Sequence, residues 1–329
     1  MKPHRIPYWW LLLAAPPVAI LAAVLTVPWI PHASGVESLT VRDGMPLRGV
    51  LREAAEQGAI RTPTVTEAWV RLLGYDQPKR GNYTLPATLS DIGLVRYLHR
   101  GSVATTRVTV PEGWTAAEIA AALESANVTS ATAFRRAATN AALTQRLGIE
   151  AGELEGYLFP ETYRFAPRLP AERIARTMVQ TFFRRLPDNY ADKASAVDLS
   201  MHEAVILASI IEKEAHHVKE MPQISAVFHN RLQRGMRLQA DPTAIYRMPD
   251  YAGNLTRAHL RTETPYNTYV ISGLPAGPIA NPGAAALAAA VAPSDSDALY
   301  FVARADGTHV FARSYAEHRR NVAKYQLGR

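Results

Sequence analysis

Acids and histidines crowd one apolar stretch of this sequence, Ser200 to His217. Ile206, Leu207, Ile210 and Ile211 run directly into Glu212, Glu214, His216 and His217. A carboxyl group at the end of such a run is stripped of water, which disfavours its charged form and lets it donate a proton near neutral pH. Helical spacing puts Glu212 on a face with Val205, Ala208, Ser209 and Ala215, small residues that leave room for a ligand. Glu214 shares its face with Leu207, Ile210 and Ile211. The spacing favours Glu212 without deciding between the two, and a pair of solvated glutamates at the polar end of a core helix would show the same pattern. A metal reading is open too, because Glu212 and His216 stand four residues apart and Glu214 and His217 three. Neighbouring His216 and His217 would point about 100° apart on a helix, a poor arrangement for one ion.

Several other chemistries are excluded. The chain has no Cys, so it has no thiol nucleophile, disulfide framework or thiolate metal site. It carries no GxxxxGK[ST] or GxGxxG phosphate cradle, and neither GxSxG nor HExxH. With 329 residues, 48% hydrophobic and 20% charged, it is a globular protein with room for about two domains. The net charge is +7 and the pI about 9.6, yet the basic residues are spread along the chain rather than massed. This argues against a nucleic-acid partner and for a mild attraction to acidic polymers or anionic lipid.

The elements that must position these acids are well punctuated. Ser200 and Glu203 form the capping box of the acid-bearing helix, and Pro222 opens another that stops at Gly235. Asp241-Pro242-Thr243 reads as an N-cap followed by Pro at the first helical position. Asn281-Pro282 opens an alanine helix, a hairpin turns at Asp306-Gly307, and Ser314 with Glu317 caps a last helix. Upstream, the helical stretch Thr129 to Leu147 precedes an aromatic segment, Glu153 to Phe165, and a helix from Pro170 to Arg185. A weak repeat aligns Leu39 to Ala54 with Val108 to Leu123, each a short strand, an acidic-Gly turn and a helix; these read as paired units of one small module. Strands and helices mix without a βαβ rhythm, so the expected fold class is α+β.

At the N-terminus, Tyr8 to Ile30 is apolar almost throughout and no Asp, Glu, Lys or Arg lies between Arg5 and Glu37. About 20 such residues span a bilayer. Lys2 and Arg5 ahead of the segment keep the N-terminus in the cytoplasm and place everything after Pro31 outside. The expected division is a tip and transmembrane anchor at 1–36, a small module at 37–128 and a larger domain at 129–329.

Seven ordered blocks carry more than composition does: Leu-Glu-Gly-Tyr-Leu-Phe-Pro-Glu-Thr-Tyr (154–163), Ala-Ser-Ile-Ile-Glu-Lys-Glu (208–214), Val-Phe-His-Asn-Arg-Leu (227–232), Gly-Met-Arg-Leu-Gln-Ala-Asp-Pro-Thr (235–243), Tyr-Asn-Thr-Tyr (266–269), Gly-Leu-Pro-Ala-Gly-Pro-Ile (273–279) and Asn-Pro-Gly (281–283). In this order they closely resemble the YceG-like endolytic murein transglycosylases, from Leu39 to the C-terminus. The resemblance implies an inner-membrane enzyme with a LysM-like module in its first half and a mixed α+β catalytic domain facing the periplasm. Such an enzyme cuts nascent peptidoglycan strands between N-acetylmuramic acid and N-acetylglucosamine, with peptidoglycan synthases as partners and no cofactor or metal. It implies that the essential acid is the first Glu of Ile-Glu-Lys-Glu, here Glu212, and that Gln239, Asp241, Thr243, Asn267 and Tyr269 line the cleft. A membrane-anchored scaffold that binds peptidoglycan without cutting it, and a metal-dependent hydrolase, are the competing readings.

Overall fold

The computed structural model describes residue 22, residues 25–101, 105–248, 251 and 253–328. Most of the expected membrane span lies outside the described residues. Among the described residues no helix is long and apolar enough to cross a membrane. The architecture is mixed α+β, and the chain divides into two compact units between Thr106 and Arg107.

The first unit contains, in order, β1 (His32–Ala33), β2 (Ser38–Val41), α1 (Leu47–Glu56), α2 (Pro63–Leu72), β3 (Gly81–Thr84), β4 (Thr88–Leu89) and α3 (Asp91–Arg100). Strands β2 and β3 pair antiparallel, with Leu39 opposite Tyr83, and β1 pairs antiparallel with β4. Alternation along β2 turns Leu39 and Val41 inward. They meet Leu47, Val50, Leu51 and Ala54, which recur along α1 at the spacing of one helical face. Burying each of these Leu and Val side chains contributes roughly 1.5–3 kcal/mol. Asp91 is fully buried at the start of α3, where its Oδ2 accepts from the Thr62 N–H at 2.9 Å and the Thr62 hydroxyl at 2.8 Å.

The second unit holds β5 (Thr106–Thr109, all but its first residue), α4 (Ala116–Ser125), α5 (Ala131–Ala138), α6 (Ala141–Arg146), β6 (Thr162–Phe165), α7 (Ala171–Arg185), α8 (Tyr190–Ser195), α9 (Met201–Glu214), α10 (Met221–Gln233), α11 (Asp241–Ile245), α12 (Ala284–Val291), the hairpin β7 (Tyr300–Ala303) and β8 (His309–Ala312), and α13 (Tyr315–Tyr325). The second copy of the repeat belongs here, not with the first. Strand β5 pairs with β6, and Ile119, Ala120 and Leu123 of α4 enter a core with Phe134, Leu154 and Leu158. The two copies therefore do not form one module, and the division of the chain differs from the expected boundary at 128/129.

Helix α9 is the centre of this unit. Its capping box is present, with the Ser200 hydroxyl accepting from the Glu203 N–H and the Glu203 carboxylate from the Ser200 N–H. Every residue from Ala204 to Ile211 is buried, so the helix is apolar all round, as an enclosed core helix must be. Alanine-rich α12, with Ala286, Ala289 and Ala290 buried, packs closely against it because such small side chains let two helices approach. Helix α9 stops at Glu214, and Ala215 is extended (φ −84°, ψ 122°). His216 and His217 leave the helix and are exposed, so the helical Glu–His pairings expected from spacing do not form.

Candidate functional site

The sequence blocks meet one another around α9. The Ser209 hydroxyl accepts from the Ile279 N–H at 3.0 Å and donates to the Ile206 carbonyl at 2.7 Å, joining the Ala-Ser-Ile-Ile block to Gly-Pro-Ile. Gly156 has φ +87°, and a Cβ there would lie 2.5 Å from Pro278 Cγ and 3.0 Å from Val205 Cγ1. Only glycine fits. Asn281 is fully buried and binds three partners: its Oδ1 accepts from the Leu158 N–H, and its Nδ2 donates to the Trp114 carbonyl and to Glu155 Oε1.

The two acids at the end of α9 point to different surroundings. Glu212 Oε2 accepts from the Gly283 N–H at 2.9 Å, at the start of α12, where a carboxylate complements the helix N-terminus. A Cβ on Gly283 would sit 1.8 Å from Glu112 Oε1, so a second carboxyl group lies over the same glycine. Burial pushes the Glu212 carboxyl above its ordinary value and the Glu112 charge adds to this, while the Gly283 N–H and Lys213 oppose it.

Glu214 lines a cavity of about 390 Å³ together with Gln239, Asp241, Tyr269, Tyr300 and His309. Glu212 is not among the described residues that line it. Burial pushes the Glu214 carboxyl up to about 8, reinforced by the charge of Asp241 and opposed by Arg231 and the Asp241 N–H. Such a group is protonated at neutral pH and can act as a general acid. Its neighbour Asp241 accepts a hydrogen bond from the Tyr269 hydroxyl at 2.5 Å.

Three of the five expected cleft residues thus gather at this cavity, around Glu214 rather than Glu212. Gln239 is held there by backbone, with φ +50° and its N–H on the Thr268 carbonyl at 3.2 Å. The other two are internal braces. Thr243 is buried, donates to the Ala240 carbonyl at 2.6 Å and shares a 2.7 Å contact with the Thr268 hydroxyl. Buried Asn267 donates through Nδ2 to the carbonyls of His259, Leu260 and Thr262, folding the loop that carries Tyr269.

Sequence reasoning passed over Arg231 and His309. Arg231 lies in a quoted block, but its role depends on contacts far along the chain: Nε donates to the Leu299 carbonyl at 2.7 Å, Nη1 to that of Leu238, and the guanidinium covers the Tyr300 ring at 5.3 Å. It is the buried cation beside Glu214 and Asp241. His309 starts β8 in the hairpin, where nothing in its local sequence signals a cavity wall. Among the described residues no group of three or more His, Asp or Glu is arranged to hold a metal ion.

Comparison with known proteins identifies the family. The chain belongs to the YceG-like family, which it matches over residues 39–324. It is similar to the endolytic murein transglycosylase of Bacillus subtilis, with 38% identity over 173 residues, covering 52% of this chain and 48% of that protein. It is also similar to the endolytic murein transglycosylase of Streptococcus pneumoniae, with 28% identity over 328 residues, covering 90% of this chain and 57% of that one. The chain thus spans about half the length of these curated relatives. The crystal structure of a yceG-like protein from Listeria monocytogenes matches it with TM-score 0.60 and 28% identity, covering 86% of this chain and 98% of that one.

Proposed function

We propose that this chain is an endolytic lytic transglycosylase that cuts peptidoglycan strands between N-acetylmuramic acid and N-acetylglucosamine, with Glu214 as the acid. The observation that carries this reading is the desolvated Glu214 carboxyl in one cavity with Gln239, Asp241 and Tyr269. The family membership and the names of its relatives supply the substrate. Glu212, which sequence spacing favoured, is better explained as the acceptor that joins α9 to the start of α12.

In the reaction, the Glu214 proton passes to the bridging glycosidic oxygen as the bond from that oxygen to muramic C1 breaks. The resulting carboxylate takes the proton of the C6 hydroxyl as O6 bonds to C1, leaving a 1,6-anhydro end and consuming no water. A hydrolase would instead need a second carboxylate to activate water. Asp241 lines the same cavity and would be the first suspect.

The test is incubation of uncrosslinked glycan strands with the wild type and with Glu214→Gln, followed by mass analysis of the ends. Anhydro ends from the wild type and loss of cutting in the variant are expected; reducing ends as the main product would sink the lytic reaction. A binding-only scaffold would release no ends at all.

In this reading the segment Tyr8 to Ile30 anchors the enzyme in the cytoplasmic membrane with both compact units outside, which its charge pattern supports. There, peptidoglycan synthases are the expected partners. The first unit is the LysM-like glycan-binding part, a reading supported by its own closed core and paired β2 and β3. Protease added outside the inner membrane should remove the bulk of the chain; full protection of the C-terminal part would reverse the topology.

A further inference from the structure

The cavity that holds Glu214 has a histidine in its wall that the proposed chemistry does not use. His309 is 7% exposed, and its backbone N–H donates to Glu220 Oε1 at 2.9 Å. Its Nδ1 lies 2.9 Å from Glu220 Oε2, and the Phe301 ring stands edge-on to the imidazole at 5.3 Å. Glu220 sits in the short turn Val218–Glu220, which follows the exit from α9 and leads into α10. Burial pushes its carboxyl up, but the two hydrogen bonds from His309 and the nearby His309 and His217 hold it below its ordinary value. Glu220 is therefore a carboxylate, which accepts hydrogen bonds and has none to give, so Nδ1 carries the hydrogen. This assigns the tautomer from the hydrogen-bond network. Nε2 is left without a protein partner among the described residues, on a side chain that lines the cavity.

We propose that His309 binds substrate through Nε2, hydrogen-bonding a hydroxyl of the sugar seated against Glu214, and that Glu220 is the positioning residue that fixes the ring. A neutral Nε2 accepts from the hydroxyl and a protonated one donates to it; a hydroxyl does either, so the contact survives a change in ring charge. Glu220 grips both the backbone and the ring of one residue, which sets the ring's orientation as an outer partner sets that of a metal-bound histidine. The proposal rests on the reading of this cavity as the glycan site.

The test uses the full-chain enzyme and uncrosslinked strands of alternating N-acetylglucosamine and N-acetylmuramic acid. KM and kcat are measured, together with the affinity of the strands for Glu214→Gln with and without each further change. His309→Phe keeps the ring's bulk against Phe301 and removes its polar atoms. It should raise KM and weaken strand binding by about three- to tenfold, the range for one neutral hydrogen bond. His309→Gln sets an amide near the Nε2 position and should restore both to within about twofold. Glu220→Ala should raise KM without a matching fall in kcat, and Glu220→Gln, which retains an acceptor, should recover much of the loss. Wild-type KM and affinity in His309→Phe, or a His309→Gln variant as impaired as His309→Phe with an unchanged melting temperature, would overturn the proposal. If His309→Phe does not fold, unchanged strand affinity in Glu220→Ala overturns it. Full turnover by Glu214→Gln would refute the acid assignment instead, while the KM of the His309 variants still reads the contact.

Discussion

Glu155 and Glu214 are both carboxyls that burial pushes far above the ordinary range, to about 7 and about 8, yet the two regions around them do opposite things. Glu155 is saturated with donors. The Ala116 N–H reaches both of its oxygens at 2.9 and 3.1 Å, Asn281 Nδ2 donates at 2.8 Å, and the Tyr246 hydroxyl donates at 3.0 Å. It ties the start of α4 to the Asn-Pro-Gly segment and has no capacity left for a ligand. Glu155 also lines a cavity, of about 360 Å³, but with its oxygens already occupied, whereas Glu214 shares its cavity with a second carboxylate, Asp241. A raised pKa therefore marks burial alone, and what distinguishes a working acid from a brace is whether its remaining hydrogen-bonding capacity opens onto space.

The sharpest way to break the contrast is Glu214→Gln. Glutamine keeps the shape but has no proton to deliver, and general acid–base assistance is worth about 10²–10⁴-fold. Turnover should fall by that factor with strand affinity largely kept, measured as product formation in single turnovers and strand binding at equilibrium. Equal losses in both would mean that Glu214 binds rather than reacts.

Glu155→Ala should leave catalytic groups in place but strand three donors in the core. The cost should be on the order of 3 kcal/mol, read as a lower denaturant midpoint at unchanged slope. A shift within 0.5 kcal/mol, roughly the size of an ordinary surface substitution, would mean the brace is not one.

A titration of stability sharpens the comparison further. The folded value of Glu155, about 7, lies above its ordinary 4.5, so the native state binds the extra proton. Its contribution is complete below about pH 4.5 and is lost as pH rises through about 7, a change on the order of 3 kcal/mol. The stability difference between wild type and Glu155→Gln should shrink across that window, since other groups cancel in the difference. A difference that grows with pH would show that its three donors outweigh burial.

Much of this was legible in the sequence, because helix signals are local. The capping box at Ser200 forms as its spacing requires, and so does the cap at Ser314. What was not legible depends on where distant segments land. Periodicity put small residues around Glu212 and read them as room for a ligand; of these, Val205 packs at Gly156 and Ser209 binds the Ile279 N–H, while Glu212 itself accepts from the Gly283 N–H. Thr243 and Asn267 sit in blocks that do build the site, yet they hold its loops from inside. The repeat at Val108 failed as a module because a strand's partner, here β6, is not written in the strand.

The smallest expected effect is the most diagnostic. Glu212→Gln keeps an amide oxygen to accept from the Gly283 N–H and removes the repulsion with Glu112, whose carboxyl lies over the same glycine. The interaction lost is that of a charge at a helix N-terminus, typically 0.3–1 kcal/mol, and it is offset by the relieved repulsion. Stability should therefore stay within about 1 kcal/mol of wild type, and turnover within a few-fold. Glu214 and Glu212 are two residues apart on one helix, so a disturbance of the backbone would affect both variants alike, while a chemical role separates them. If Glu212→Gln loses 10²-fold or more in turnover with its fold intact, and Glu214→Gln does not, the acid is Glu212. The cavity around Glu214 would then be a binding subsite, and the start of α12 would be the reacting centre.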